Sequence, residues 1–126
     1  MRDRGGELGA FHNSCRHRGS VLCQPGSGKA ARIVCPYHRW TYGLDGRLLA
    51  AGRMPDDFSK ADHGLKPIRL ELVSGAMFIC LADDAPDIET MRSELTPLLA
   101  PHGIERSKLA FQSTLVEHAN WKLVME

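Results

Sequence analysis

Apolar positions in this chain come in brief runs separated by turn-forming residues, a pattern that predicts short strands and hairpins over most of its length. Leu8–Phe11 is a short strand candidate, with Val21–Leu22 as a brief extension after a polar stretch. Pro25–Lys29 has the composition of a flexible loop, and Ala31–Val34 is a second short strand. Trp40–Gly43 and Arg47–Leu49 flank Leu44-Asp45-Gly46, and an Asp-Gly pair between such runs predicts a hairpin. After a polar loop through Pro55-Asp56-Asp57, Ile68–Val73 alternates in character, Ser74-Gly75 turns, and Ala76–Leu81 returns as a more buried strand.

The period then changes. Ile88, Met91 and Leu95 share one face of a predicted helix from Pro86 to Leu99, with Asp83 or Asp84 as cap, Asp87 and Glu89 at its positive end, and Pro97 ending or kinking it. Leu109–His118 reads as a strand, and Asn120–Glu126 as the opening of another element. Two regions follow from this division, residues 1–85 and residues 86–126.

Composition narrows the class. The chain has 126 residues, 43% of them apolar and 25% charged, which suits one folded domain with a modest core. The formal net charge of +1 gives no bulk field toward nucleic acid or an acidic membrane. No run approaches the roughly 18 apolar residues needed to cross a bilayer, and the charged, glycine-rich start lacks the apolar stretch of a signal peptide. The expectation is a cytoplasmic protein, in which four cysteines serve as metal ligands or buried apolar residues rather than two disulfides.

The candidate chemistry lies in Cys15-x-His17 and, after seventeen intervening residues, Cys35-x-x-His38. Each block offers one thiolate and one imidazole, donors that suit iron–sulfur centres and zinc alike. Structural zinc sites usually pair like ligands within a loop at two-to-four-residue spacing, whereas both blocks here are mixed. A two-iron centre with two cysteines on one iron and two histidines on the other requires that division.

The blocks His12-Asn13-Ser14-Cys15-Arg16-His17-Arg18-Gly19 and Cys35-Pro36-Tyr37-His38-Arg39-Trp40-Thr41-Tyr42-Gly43-Leu44-Asp45-Gly46 resemble the Rieske domain of aromatic-ring-hydroxylating oxygenase large subunits. The likeness continues through Gly64-Leu65-Lys66-Pro67 to Leu81, and Asn120-Trp121-Lys122 resembles that family's entry into its catalytic domain. The resemblance implies a mostly β fold of the Rieske (ISP-like) kind: an antiparallel β-sandwich carrying a small rubredoxin-like cluster-binding subdomain, plus one C-terminal helix. It implies a [2Fe–2S] cluster held by Cys15, His17, Cys35 and His38. The electron donor would be a ferredoxin or flavin reductase. The acceptor would be a mononuclear non-haem Fe(II) in the catalytic domain of a neighbouring subunit, within a homotrimer or α3β3 assembly. Residues for that second iron are not found here: the four remaining histidines form no His-x₃₋₅-His pair with a nearby downstream Asp. The chain is therefore expected to be a fragment that holds the electron-delivery half of an oxidoreductase, with strands missing upstream and a catalytic domain missing downstream.

Respiratory Rieske proteins carry an extra cysteine in each loop; the corresponding places here hold Ser20 and Tyr37. An oxidised two-iron, two-sulfide core carries +2, so two thiolates and two neutral imidazoles give a neutral site that accepts an electron more readily than an all-thiolate dianion. The Rieske range is about −150 to +300 mV. Without the disulfide and hydroxyl donors of the respiratory branch, the lower part of that range is expected.

Simpler readings stand for the remaining residues. Cys80 is expected in the core and Cys23 as a buried thiol near the loop. His12, His63, His102 and His118 are expected to be ordinary surface or satisfied histidines. Trp40 is expected to pack over the cluster site, and Tyr37 and Tyr42 are candidate donors to sulfur or to a ligand. Arg16, Arg18 and Arg39 are either solvated charges or groups that steer a negatively charged electron donor. A self-standing Rieske ferredoxin and a zinc-stapled interaction module are the competing functions, the first separable by the reading frame past Glu126, the second by colour.

Overall fold

A computed structural model describes residues 1–124. Six strands form two three-stranded antiparallel sheets: β1 (Ala10–Phe11), β5 (Pro67–Val73) and β6 (Ala76–Cys80) in the order β1-β5-β6, and β2 (Ile33–Val34), β3 (Thr41–Tyr42) and β4 (Leu48–Ala50) in the order β2-β3-β4. The second sheet belongs to a lobe, residues 12–66, that leaves from β1 and returns at β5. Phe11 pairs with Pro67, and the His12 N–H donates to the Lys66 carbonyl at 2.9 Å, so the two ends of the lobe are held side by side.

Both predicted hairpins form. Between β3 and β4, Gly46 takes φ +82°, Asp45 Oδ1 accepts the Arg47 N–H at 3.1 Å, and Gly43 N–H donates to the Arg47 carbonyl at 2.9 Å. The Arg47 backbone N–H and then its guanidinium hold the Asp45 carboxyl below the usual carboxylate range. Between β5 and β6, Ser74 and Gly75 both have positive φ (46° and 85°), the two-residue turn whose twist matches the flanking strands.

The best-buried side chains belong to the lobe. Cys15, Cys35, Trp40, Tyr42, Leu48 and Leu65 form one cluster, with Phe11, Leu22, Ile33, Met54 and Phe58 packed around it. The other sheet is covered on one face only. Phe78 and Cys80 line a hollow with Ile88 and Met91 of the helical region, whereas Met77, Ile79 and Leu81 are 67%, 62% and 68% exposed. The expectation of a more buried β6 is thus corrected to alternate residues: successive side chains point to opposite faces, and a single layer packs against them. Cys80 is correspondingly half-buried rather than a core residue.

The helix α1 runs from Glu89 to Leu99, three residues later than the predicted start at Pro86. Its first turn is met by Asp87, whose Oδ1 accepts the Glu89 N–H at 3.2 Å, while Asp83 and Asp84 lie in the preceding turn. Pro97 sits inside the helix, which ends two residues on. So close to the terminus, its missing N–H removes only a last-turn bond. Arg92 fastens α1 to the part of β5 beyond its short pairing with β1, donating to the Leu72 carbonyl at 2.7 Å and to Glu71 Oε2 at 3.1 Å.

Leu109–His118, expected as a strand, joins neither sheet; Leu109, Phe111, Leu115 and Val116 are 78–81% exposed. β-propensity supplies the residue types, but a strand exists only with a hydrogen-bonding neighbour, and none of the described strands is one. A single helical turn, α2 (Trp121–Val124), opens after Asn120, whose Oδ1 accepts the Lys122 N–H at 3.1 Å. Met125 and Glu126, the end of that expected element, lie outside the described residues. Among the described residues no helix is long and apolar enough to cross a membrane.

Gly46 joins the two sheets, because a Cβ added there would enter the Phe11 ring of β1 and its φ is left-handed. Gly46→Ala is expected to destabilise the fold by about 2–4 kcal/mol, from the left-handed backbone and overpacking together. A denaturant midpoint that moves with unchanged slope would register it.

Candidate metal centre

Two loops in the lobe share one construction. In the first, Cys15 N–H donates to the Ser20 carbonyl at 2.8 Å, and Gly19 N–H returns to the Cys15 carbonyl at 2.9 Å. In the second, Cys35 N–H donates to the Trp40 carbonyl at 2.8 Å, and Arg39 N–H returns to the Cys35 carbonyl at 3.1 Å. The fourth residue after each cysteine carries the reversal, with φ +70° at Gly19 and +61° at Arg39. Each loop therefore presents its cysteine at the base and its histidine nearer the tip. Asn13 pins the first loop: its Oδ1 accepts the N–H groups of Leu22 (3.2 Å) and Cys23 (2.9 Å), and its Nδ2 donates to the Cys23 carbonyl at 2.7 Å.

The four predicted residues come together with a polarity. Cys15 and Cys35 are buried, 3% and 1% exposed, while His17 is half-buried and His38 is exposed. The two imidazole centroids lie 4.7 Å apart, edge to face. Trp40 is buried and stacks flat on His17 at 4.8 Å and 11°. Phe58 and His63 back Trp40 with centroids at 5.4 and 5.8 Å, so His63 is a satisfied histidine that also packs against the site. Its Nδ1 lies 2.8 Å from the Ser59 carbonyl. Neither Phe58 nor His63 carries a sequence signal; Phe58 sits in the turn closed by its N–H to the Pro55 carbonyl at 3.1 Å, and His63 ends the 3₁₀ turn Lys60–His63.

Tyr42 is fully buried, and its hydroxyl lies 3.3 Å from Cys15 Sγ. The hydroxyl accepts the Arg16 N–H at 3.1 Å, which leaves its own proton for the sulfur. Burial, with the neighbouring thiols, drives the Tyr42 hydroxyl far above the ordinary tyrosine range, so it remains a donor at all working pH. Of the two candidate tyrosine donors, Tyr42 is the one placed against sulfur. Tyr37, the other candidate donor, is 60% exposed and lies against the His38 ring at 3.8 Å. Cys23 is exposed, not buried, because the Asn13 bonds hold its backbone at the outer side of the loop. His12, His102 and His118 are exposed and take no part in the aromatic packing around Trp40.

The protonation states suit metal ligation. Burial pushes the Cys35 thiol up, but the backbone N–H groups of His38 and Tyr37, with the Cys15 and Ser20 side chains, outweigh it and favour thiolate. Desolvation, then the charges of His17 and Arg18, lowers His38 and favours neutral imidazole. His17 Nδ1 is buried without any hydrogen-bond partner, an arrangement that is costly for a polar atom unless a ligand meets it. Two sulfurs, two imidazoles and this orphaned nitrogen fit a two-iron cluster. Among the described residues no three His, Cys, Asp or Glu are grouped as around one metal ion. A centre with two protein ligands on each of two irons does not call for such a grouping.

Residues 1–62 match the family described as Rieske [2Fe-2S] domain. The chain is 52% identical to the glycine betaine monooxygenase oxygenase subunit of Chromohalobacter salexigens over 96% of this chain and 27% of that protein. It is 36% identical to the anthranilate 1,2-dioxygenase large subunit of Acinetobacter baylyi, over 99% of this chain and 28% of that protein. It thus spans less than a third of the length of these relatives. Among solved structures, a quaternary ammonium Rieske monooxygenase in complex with substrate L-carnitine superposes with a TM-score of 0.72 at 36% identity, covering 80% of this chain and 29% of that one. Naphthalene 1,2-dioxygenase superposes with a TM-score of 0.65 at 33% identity, covering 71% and 21%.

Because Asn13 alone ties the first loop to the Leu22–Cys23 backbone through three bonds, Asn13→Ala is expected to cost about 1–2 kcal/mol. Hydrogen exchange should speed first at the Leu22 and Cys23 amides; uniform acceleration across both sheets would contradict the local role.

Proposed function

Residues 1–62 of this chain belong to the Rieske [2Fe-2S] domain family, and on that footing we propose that Cys15, His17, Cys35 and His38 hold a [2Fe–2S] cluster through which the chain carries single electrons. The observation that bears most weight is the pair of equivalent loops, with two buried cysteines at the base, two histidines at the rim, and His17 Nδ1 buried and unpartnered. Bound there, the cluster supplies a reversible one-electron couple at a potential of about −150 to +300 mV.

The chain's own residues tune and shield that couple. Tyr42 donates its O–H to Cys15 Sγ and stabilises the negative charge that reduction brings. Trp40, backed by Phe58, keeps water from the His17 side. His38, exposed at the tip, keeps a ring N–H available for a hydrogen bond to a partner, which makes the rim the exit for the electron.

The parent protein is proposed to be the large subunit of a Rieske oxygenase. In this reading residues 1–85 form the cluster-holding unit and residues 86–126 lead toward a catalytic domain with a mononuclear non-haem iron. Electrons would come from a ferredoxin or flavin reductase and pass to the catalytic domain of a neighbouring subunit in a homotrimer or α3β3 assembly. Identities of 52% and 50% to two glycine betaine monooxygenase oxygenase subunits, against 36% to a ring dioxygenase, favour a quaternary ammonium substrate over an aromatic one.

Anaerobically purified protein is expected to be red-brown, to contain iron and acid-labile sulfide, and to give a low-average-g EPR signal when reduced. Replacing either rim ligand (His17→Ala or His38→Ala) should abolish the visible spectrum; a colourless wild type or an unchanged His38→Ala spectrum would refute the ligand set. Tyr42→Phe should keep the colour and lower the midpoint potential. A hydrogen bond of about 0.5–1.5 kcal/mol corresponds to about 20–65 mV for one electron.

A further inference from the structure

The two rim histidines are supported unequally. His38 is exposed and meets the exposed Tyr37 ring at 3.8 Å, whereas His17 is half-buried. Among the described residues the His17 ring makes no hydrogen bond, and its Nδ1 is buried. A ligating imidazole is ordinarily oriented by a hydrogen bond at its second nitrogen. His17 is held by its face instead: the Trp40 indole lies parallel to it within 11° at 4.8 Å, and the His38 ring meets it at 71° and 4.7 Å. The plane of His17 is therefore only as firm as the indole against it.

Trp40 is in turn fixed from a segment outside both ligand loops. Phe58 and His63 meet its ring at steep angles, 63° and 80°, and lie against each other at 4.3 Å. Edge-to-face contacts of this kind resist tilting of the indole, which plain volume filling does not. His63 is the one of the pair whose side chain is tied to the main chain, because its Nδ1 donates to the Ser59 carbonyl at 2.8 Å. Its 3₁₀ turn is tied to the sheet: Lys60 Nζ donates to the Leu49 carbonyl at 3.4 Å, and the Leu65 N–H to the Gly46 carbonyl at 2.8 Å. A contiguous line of contacts thus runs from the β3–β4 hairpin through His63 and Trp40 to His17.

We propose that His63 is a positioning residue for the cluster, acting through Trp40 to hold the His17 imidazole with Nδ1 turned into the site. This rests on the ligand set proposed above, and adds a residue that acts on a ligand without being one. A histidine suits the place because one ring supplies both an aromatic edge for the indole and an N–H for the Ser59 carbonyl. Phenylalanine lacks the second and glutamine the first. The support reaches one ligand of the pair. Loosening it disturbs the His17 nitrogen and leaves that of His38 in place.

The test uses the reduced holoprotein, in which pulsed EPR resolves the couplings of the two ligating histidine nitrogens. His63→Gln is expected to shift or broaden one coupling, to leave the other unmoved, and to speed iron removal by a chelator by about tenfold. His63→Phe, which keeps a ring against Trp40, is expected to restore the coupling and bring the rate within about threefold of wild type. Trp40→Leu should reproduce the single-coupling change, and His63→Gln added to it should change nothing further. Phe78→Ala, in the other sheet, is the control for general loosening: a lower thermal midpoint with both couplings unmoved. Both couplings moving together in His63→Gln, His63→Phe behaving as His63→Gln does, or additive effects of His63→Gln and Trp40→Leu would overturn the proposal. Wild type with two nitrogen couplings that His63→Gln leaves untouched overturns the positioning role alone. Wild type without iron, sulfide or a reduced EPR signal overturns the ligand set with it.

Discussion

The site depends on one backbone device used twice. Each cysteine closes its own loop by accepting an N–H from the fourth residue on and donating its N–H to the carbonyl of the fifth. The closure is possible only because the fourth residue turns left-handed, at Gly19 and at Arg39. With the main chain bonded to itself in this way, the thiols can be buried without leaving unsatisfied peptide groups around them. The histidines, placed two and three residues after their cysteines, emerge at the rim. Burial of sulfur, exposure of His38 and the stacking of Trp40 on His17 all follow from this closure.

Around it the lobe arranges a graded environment. Tyr42 at the base donates to sulfur, Trp40 and Phe58 form an aromatic wall, and the charged side chains stay at the surface. A low-polarity base strengthens the Tyr42 bond, and a solvent-facing tip leaves one imidazole accessible. In the proposed reading, electron storage and electron passage fall to opposite ends of a site only a few residues deep.

Much of this was legible in the sequence because it rests on local chemistry. Asp45-Gly46 and Ser74-Gly75 encode their hairpins through residues that accept positive φ, and the mixed Cys/His blocks encode a two-by-two donor set at short range. Long-range partners were less legible. Tyr42 meets Cys15 across 27 positions, and Phe58 and His63 reach Trp40 from 18 and 23 positions away. Leu109–His118 reads as a strand but pairs with none of the described strands, and β6 has apolar residues on two faces where the fold covers one. Pattern reports what a segment can form; the partner that realises it is a property of the tertiary arrangement.

The cluster lobe enters and leaves through adjacent strands, with Phe11 opposite Pro67 and His12 bonded to Lys66. Bringing together the ends of so long an excursion costs on the order of 3–4 kcal/mol in chain entropy, more than a two-residue ladder can return. The neck is therefore held shut by the packing inside the lobe, not the reverse. Such a unit is portable: any antiparallel neighbour pair with the same spacing offers a place to graft it, and the proposed cluster site would travel with its own scaffold.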